Sequence, residues 1–102
     1  MNDLVEKLMN IPDIRETDGQ TNPTAHLKFQ NMLGRGTWYV TEMGATDNDD
    51  VLLFGYVLSP LGEDCDEWGY FTLSELLGVE VILLDPNFKA QPIHDLVPKL
   101  AT

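Results

Sequence analysis

Four short apolar segments separated by turn signals occupy the middle of the chain, and their spacing is what most constrains its fold. The segments cover residues 25–30, 37–43, 51–58 and 68–73. Glycine, proline and polar residues interrupt them, as in Gly34-Arg35-Gly36 and Ser59-Pro60-Leu61-Gly62. Consecutive strands joined by such short connections pair side by side in opposite directions, so the pattern predicts an antiparallel β-meander.

Alternation within these segments assigns side chains to the two faces of the predicted sheet. Ala25, Leu27 and Phe29 fall on one face of the first strand. Segment 51–58 is apolar at successive positions, so we expect it to be buried on both faces and central in the sheet. Segment 79–84 is predicted to be a further strand or an extended arm.

Helices are predicted near both ends of the chain and after the fourth strand. Residues 3–9 form a short amphipathic pattern with Asp3 as N-cap, and Pro12 ends it. Ser74 is predicted to cap a helix through Leu77. Pro92 opens a last helix, which carries Ile93, Leu96, Val97 and Leu100.

The expected fold class is therefore α+β. We predict a single small domain over residues 1–102, with an antiparallel β-meander of four to five strands and short N- and C-terminal helices on one face. No apolar run approaches the roughly 20 residues of a membrane span, and the start of the chain lacks a basic signal-peptide region. The expected location is the cytoplasm, with no membrane contact. Cys65 is the single cysteine, which excludes an intrachain disulfide.

Acidic residues are concentrated in the middle of the chain. The sequence has 17 Asp and Glu against 6 Lys and Arg, for a formal net charge of −11. No Lys or Arg lies between Gly36 and Phe88, a stretch that contains eleven of the acids. Such a stretch repels phosphate, so direct binding to nucleic acid or to an anionic membrane is not expected. It attracts basic protein surfaces, although solubility alone also accounts for an acidic composition.

Two short segments are the most acidic, namely residues 47–50 and 63–67. The first lacks the glycine and the later glutamate of an EF-hand calcium loop, because Val51 and Leu52 follow at once. The second remains solvated unless a cation or a basic partner neutralises it, and we expect Asp64 and Asp66 to be exposed. Trp68 is predicted either to bind the partner beside these acids or to join the core. The predicted partner-binding residues are Asp47, Asp49, Asp50, Glu63, Asp64, Asp66, Glu67 and Trp68.

Residues suited to catalysis are sparse. His26 and His94 lie far apart in the sequence, and acidic neighbours make Cys65 a poor nucleophile. His94 is expected to be exposed at the start of the last helix. The chain has no Gly-rich phosphate loop and no paired-histidine motif. We predict no catalytic, cofactor-binding or metal-binding residues; a dyad of Cys65 with one of the histidines is the enzymatic alternative.

Seven of the nine aromatic residues fall in three of the predicted strands. Alternation places Trp38 and Tyr39 on opposite faces, and likewise Tyr70 and Phe71. Stacking on nucleic-acid bases is disfavoured because no Lys or Arg accompanies these strands. The aromatic residues are therefore predicted to form the core and cross-strand pairs, or in part a protein-binding face.

Several motifs occur in an order that resembles a known family. They are Gly36-Thr37-Trp38-Tyr39-Val40-Thr41-Glu42, Phe54-Gly55-Tyr56, Gly69-Tyr70-Phe71-Thr72-Leu73-Ser74-Glu75-Leu76, Phe88-Lys89 and Pro92-Ile93. Over about residues 15–96 the chain resembles the family called domain of unknown function 2958. The resemblance implies a small bacterial protein of the kind found on plasmids and other mobile elements, and it implies no reaction. The acidic loop 59–67 and the apolar run 81–84 differ from the usual pattern.

Two hypotheses of function follow. In the first, the chain is a non-enzymatic nucleic-acid mimic of a phage or plasmid that occupies the basic groove of a nucleic-acid-binding protein. It would inhibit host defence in the manner of anti-CRISPR or anti-restriction proteins. In the second, it is an adaptor or regulatory module for plasmid maintenance or transfer that binds through the aromatic sheet face. The first mode of binding weakens with salt and the second tolerates it. The partner and the oligomeric state stay open.

Overall fold

An antiparallel sheet of five strands forms the centre of the structure, which is a computed structural model and describes residues 8–101. The helix predicted at residues 3–9 lies outside the described residues except for Leu8 and Met9, which are helical. The strands are β1 (Thr24–Ala25), β2 (Leu27–Asn31), β3 (Thr37–Ala45), β4 (Val51–Leu58), β5 (Glu67–Thr72), β6 (Ile82–Leu84) and β7 (Gln91–Pro92). Two α-helices, α1 (Leu73–Leu77) and α2 (Ile93–Leu96), and two 3-10 helices, Glu63–Cys65 and Pro98–Ala101, complete the described elements.

The meander predicted from the sequence is confirmed for β2 to β5. Their order in the sheet is β5-β4-β3-β2-β6, with every pair antiparallel. After α1 the chain reaches the opposite edge of the sheet, where β6 pairs with β2. The strand expected to be central, β4, does have a neighbour on each side, but the middle position belongs to β3.

The first predicted strand, residues 25–30, is interrupted at His26. Ala25 belongs to β1, which pairs with β7 in a separate two-stranded sheet. The backbone N–H of His26 donates instead to the carbonyl of Val40. This break resets the alternation, so Ala25 packs apart from Leu27 and Phe29, and the prediction that all three share a face was wrong.

Apolar side chains are buried on both faces of the sheet. Successive residues Tyr39 and Val40 of β3 belong to different clusters, so the clusters lie on opposite faces. The first face buries Ile11, Leu27, Phe29, Val40, Leu53, Phe71, Leu76 and Ile82. The second face buries Ala25, Tyr39, Tyr56, Phe88, Ile93 and Val97.

The two faces are covered by different ends of the chain. Leu8 and Ile11 pack on the first face together with α1, whereas α2 packs on the second face through Ile93. Leu8 belongs to the predicted N-terminal helix, so the described part of that helix and the C-terminal helix α2 lie on opposite faces of the sheet rather than on one face as expected. The physical reason is that β3 and β4 carry apolar side chains on both sides, and each side needs a cover.

Both described α-helices differ in detail from their predicted bounds. Thr72, rather than Ser74, is the N-cap of α1, and it forms a capping box with Glu75. Helix α2 ends at Leu96, and the chain continues as a 3-10 helix from Pro98. Proline cannot donate the backbone hydrogen bond that would continue the helix.

Candidate partner-binding surface

The two acidic segments lie at opposite ends of β4. Residues 46–50 connect β3 to β4, and residues 59–66 connect β4 to β5. Strand β4 has 8 residues, which corresponds to about 25 Å at the usual rise per residue. The two acidic segments predicted to bind a partner therefore form two separate patches.

The connection between β3 and β4, which we call the hairpin tip (residues 46–50), presents two exposed carboxylates. Asp47 and Asp49 are both exposed, and Asp49 has a φ of 59°. The hydroxyl of Thr46 accepts from the backbone N–H of Asn48 at 3.2 Å and of Asp50 at 3.0 Å. These bonds fix the turn that presents Asp47 and Asp49 to solvent.

Asp50 connects the hairpin tip to α1. Its carboxylate accepts hydrogen bonds from the Ser74 hydroxyl, from the Ser74 backbone N–H at 3.3 Å and from the Val51 backbone N–H at 2.7 Å. The bond from the Ser74 hydroxyl, followed by that from the Val51 N–H, lowers the pKa of Asp50. Asp50 therefore has a structural role that the sequence did not indicate.

Asp66 is the centre of an ion-pair network, and the expectation that it is solvent-exposed was wrong. Its side chain is 0% exposed. Arg35 donates to it twice, from Nη1 at 2.9 Å and from Nη2 at 2.8 Å. Lys99 Nζ donates at 2.8 Å and the Ser59 backbone N–H at 2.6 Å. The Arg35 hydrogen bonds, with those of Lys99 and Ser59, hold the pKa of Asp66 well below its usual range.

Distant parts of the chain supply the partners of Asp66. Arg35 belongs to the turn between β2 and β3 and also donates to the Ser59 carbonyl at 2.8 Å, while Lys99 belongs to the C-terminal 3-10 helix. The pKa of Arg35 and that of Lys99 are raised by their hydrogen bonds to Asp66. Neither contact has a sequence signal, because only the fold brings residues more than thirty positions apart together.

The other acidic residues of loop 59–67, Glu63, Asp64 and Glu67, are exposed, and one of them is close to a counter-charge. Glu63 and Asp64 lie in the short 3-10 helix with Cys65, all three exposed. Lys99 Nζ approaches Glu63 Oε1 to 3.7 Å. Within residues 8–101 Asp64 and Glu67 have no ion pair. This loop therefore offers two unpaired carboxylates rather than four.

Trp68 belongs to a row of aromatic side chains on the second face, which we call the aromatic row and which consists of Phe54, Tyr56, Trp68 and Tyr70. Its ring is stacked on Phe54, with centroids 5.8 Å apart, and meets Tyr56 edge-on at 5.4 Å. Tyr70 follows on β5, 4.8 Å from Phe54, and is 58% exposed. Trp68 is half-buried, so it contributes to the core and borders the surface at once.

A pocket of about 240 Å³ lies beside this aromatic row. Phe54 and Trp68 form one side of it, and Thr17, Gly19 and Pro23 line the other. Sequence reasoning missed this pocket, because the segment that encloses it is remote from β4 and β5 in the chain.

A buried carboxylate positions that enclosing segment. Glu42 is 1% exposed and accepts hydrogen bonds from the backbone N–H of Arg15 at 2.7 Å and of Thr17 at 2.8 Å, and from the Thr17 hydroxyl. A register shift between Val40 and Glu42 puts Glu42 opposite Phe54, on the second face. Through these hydrogen bonds, Glu42 holds residues 15–17 against the second face of the sheet.

The cysteine is exposed, whereas both histidines are half-buried. His94 was expected to be exposed, but it is half-buried, and its backbone N–H donates to the Asn22 side-chain oxygen at 2.9 Å. Its Nε2 is buried without a hydrogen-bond partner among the described residues. Burial lowers the pKa of His26. No group of three or more potential metal ligands is found within residues 8–101.

Fold and surface together define a small acidic α+β protein with two exposed acidic patches and an aromatic row. A sequence model of the family described as Protein of unknown function (DUF2958) matches residues 1–92. The chain belongs to this family. Comparison with curated proteins and with solved structures found no match. In the part of the chain that the structure describes, every helix is too short or too polar to cross a membrane.

Proposed function

We propose that this chain is a non-enzymatic acidic protein that binds the basic surface of a nucleic-acid-handling protein. By occupying that surface it would act as a nucleic-acid mimic and inhibit host defence, in the manner of anti-CRISPR or anti-restriction proteins. The proposal includes a mobile-element origin and a cytoplasmic location.

The observation that carries the proposal is the set of exposed carboxylates without a counter-charge. Asp47 and Asp49 project from the hairpin tip, and Asp64 and Glu67 from the opposite end of β4. None of the four has an ion pair within residues 8–101. Carboxylates on short, hydrogen-bonded turns lose little conformational entropy on binding, which favours recognition by fixed cations.

The spacing of the two patches suits an extended basic groove. The roughly 25 Å between them corresponds to about seven base steps of duplex DNA, at about 3.4 Å per step along each strand. A groove that accommodates nucleic acid is long enough to contact both patches. Binding of this kind forms quickly and weakens steeply with salt.

The test compares two variants with the same net charge. In the patch variant, Asp47→Asn, Asp49→Asn, Asp64→Asn and Glu67→Gln are combined, while Asp50 and Asp66 are kept for their structural hydrogen bonds. The control variant combines Asp13→Asn, Glu16→Gln, Glu80→Gln and Asp95→Asn, four exposed acids elsewhere. Immobilised parent and variants are offered a panel of nucleases, restriction enzymes and other nucleic-acid-binding proteins at about 50 mM and about 300 mM NaCl.

We expect a basic partner to be retained by the parent at low salt and released at high salt. The patch variant should lose at least about tenfold in affinity, and the control variant should keep most of it. Retention of no basic partner at low salt contradicts the proposal. Equal losses in the two variants would mean that net charge alone, rather than these patches, governs binding.

The second candidate function is the adaptor or regulatory module for plasmid maintenance or transfer. The observation that favours it is the exposure of Tyr70 beside Phe54 and Trp68, since aromatic side chains of this kind contribute strongly to protein interfaces. If the chain is an adaptor that binds through this row, its binding should tolerate salt and should be unchanged in the patch variant. Tyr70→Ser should weaken that binding.

A further inference from the structure

The two edge strands of the five-stranded sheet, β6 and β5, differ in how well they are protected against pairing with a further strand. Strand β6 has 3 residues and is followed by Asp85-Pro86, so that edge is short and ends at a proline. Strand β5 has 6 residues, with the sequence Glu-Trp-Gly-Tyr-Phe-Thr, and contains neither proline nor lysine. Short strands, proline and lysine are common protections against further strand pairing, and β5 has none of them.

The outer side of β5 carries backbone groups that no described strand satisfies. The N–H of Thr72 donates to the Glu75 carboxylate at 3.2 Å rather than to β4. Because backbone groups of a strand alternate in direction, the N–H and C=O of Trp68 and Tyr70 point to the same outer side as those of Thr72. Among residues 8–101, β4 is the single strand that pairs with β5.

The side chains next to this edge suit a cationic neighbour. The rings of Trp68 and Tyr70 share the second face with Phe54, and Tyr70 is 58% exposed. A strand added along β5 would place every second side chain beside these rings. A Lys or Arg in such a position gains a cation–π interaction in addition to charge attraction.

Charge determines which occupant fits. Glu67 is exposed at the start of β5, Asp64 lies just before it and Glu75 just after its end. Within the described residues none of these three acids has an ion pair. An edge bordered in this way attracts a basic segment, whereas a second copy of the chain, with its own charge of −11, is repelled.

We propose that the outer edge of β5 binds an extended basic segment of a partner protein as a sixth strand of the sheet. Main-chain hydrogen bonds to Trp68 and Tyr70 supply part of the affinity, and the aromatic row with the flanking acids selects Lys or Arg at alternate positions. This inference rests on the proposed function and specifies the mode by which the basic partner is recognised.

The direct test uses the whole chain, labelled with ¹⁵N, and two synthetic eight-residue peptides. One alternates Lys and Val, and the other alternates Glu and Val. With the Lys peptide at saturation, amide hydrogen exchange of Trp68 and Tyr70 should slow by at least about tenfold, because both N–H groups become hydrogen-bonded. The Glu peptide should leave both rates unchanged. Chemical-shift changes confined to the acidic patches, with no slowing at these two amides, would overturn the proposal.

A pair of variants separates the backbone contribution from that of the ring. Tyr70→Thr and Tyr70→Pro both remove the ring, but only the proline also removes the outward N–H. The Lys peptide should bind Tyr70→Pro at least about tenfold more weakly than Tyr70→Thr. Equal affinities would overturn the proposal. Thermal melting checks that both variants fold, and if Tyr70→Pro does not, the exchange rates of the parent decide the matter.

The same variants distinguish failure of this inference from failure of the proposed function. Suppose that a basic partner is lost by the patch variant but binds Tyr70→Pro and Tyr70→Thr equally. This result would support the proposed function and overturn the proposal that the partner pairs with β5. If the peptide protects Trp68 and Tyr70 from exchange but no nucleic-acid-handling protein is retained, the proposed strand pairing at β5 is supported and the proposed function is contradicted. If protection of the Trp68 and Tyr70 amides rises with protein concentration in the absence of peptide, a second copy of the chain occupies the edge. This result would overturn the proposal of a basic partner.

Discussion

Three carboxylates of this acidic chain form structural hydrogen bonds between separate segments. Glu42 fastens residues 15–17 to the sheet, Asp50 joins the hairpin tip to α1, and Asp66 links Arg35 to the C-terminal segment. At the residue scale these groups are indistinguishable in sequence from their exposed neighbours. Burial and donors supplied by distant residues make the difference.

Replacing Glu42 with Ala should destabilise the fold. The substitution leaves the backbone N–H groups of Arg15 and Thr17 without their acceptor, and the Thr17 hydroxyl loses its partner. We expect a loss of about 3 kcal/mol in the free energy of unfolding, measured by urea titration. Glu42→Gln keeps an acceptor oxygen and should cost less. Glu16→Ala, an exposed site, serves as control, and a Glu42→Ala loss no larger than that of the control contradicts the assignment.

Asp66 and Asp64 form a matched pair for a second test. Asp66→Asn removes the charge that Arg35 and Lys99 contact, so we expect it to lower the free energy of unfolding by at least about 1 kcal/mol. Asp64→Asn changes an exposed side chain and should shift the same quantity by less than about 0.5 kcal/mol. Similar urea midpoints for the two variants would mean that the network around Asp66 does not stabilise the fold.

The Asp66 network also makes stability depend on pH. Because the folded pKa of Asp66 lies below its ordinary value of 3.8, its contribution is complete above that value. The contribution is lost as the pH falls from there through the folded pKa. The stability difference between the parent and Asp66→Asn, measured by urea titration from about pH 5 to about pH 2, should therefore shrink toward low pH. A difference that stays constant over this range would contradict the assigned shift.

At the scale of elements, the pairing of β3 with β4 depends on one glycine. A Cβ added to Gly55 would lie 1.7 Å from the Tyr39 carbonyl oxygen, a backbone atom that cannot move without breaking the sheet. Gly69 is the register partner of Gly55 on β5, and a Cβ there meets nothing within 4 Å. We expect Gly55→Ala to prevent folding and Gly69→Ala to fold, as judged by circular dichroism and thermal melting. A folded Gly55→Ala variant with unchanged melting would refute this account of the close approach.

Short elements depend on contacts between segments rather than on their own propensity. Helix α1 has 5 residues and α2 has 4, and isolated helices of such lengths are not stable in water. The capping box of Thr72 and Glu75, the Asp50–Ser74 hydrogen bond and burial of Leu76 keep α1 in place. Helix α2 depends on burial of Ile93 against the second face.

At the scale of the whole molecule, the net charge of −11 opposes compaction. Salt screens this repulsion, so raising NaCl from about 20 mM to about 300 mM should increase the melting temperature by about 3 °C or more. The patch variant has four fewer negative charges, so its melting temperature should rise less over the same range of NaCl. A melting temperature that falls with NaCl in this range would mean that attractive ion pairs such as Arg35–Asp66 outweigh the repulsion.

The fold class was readable from the sequence because it depends on local patterns. Alternating apolar residues and short turns are sufficient to specify β2 to β5 as an antiparallel meander, and three of the five family motifs overlap those strands. The acidic character and the exposure of Asp47, Asp49, Asp64 and Glu67 also follow from composition and turn chemistry.

The remaining features required the tertiary structure, because they join residues that are distant in the chain. Burial of Asp66 depends on Arg35 and Lys99, and the pocket beside Trp68 depends on the segment that Glu42 fastens in place. The break at His26, the return of β6 to the far edge and the cover on both faces come from packing of the whole sheet. Sequence alone determined that β2 to β5 form an antiparallel meander and how much net charge the chain carries. Only the tertiary structure decided which carboxylates remain available to a partner, because a buried acid is stable only where distant donors meet it.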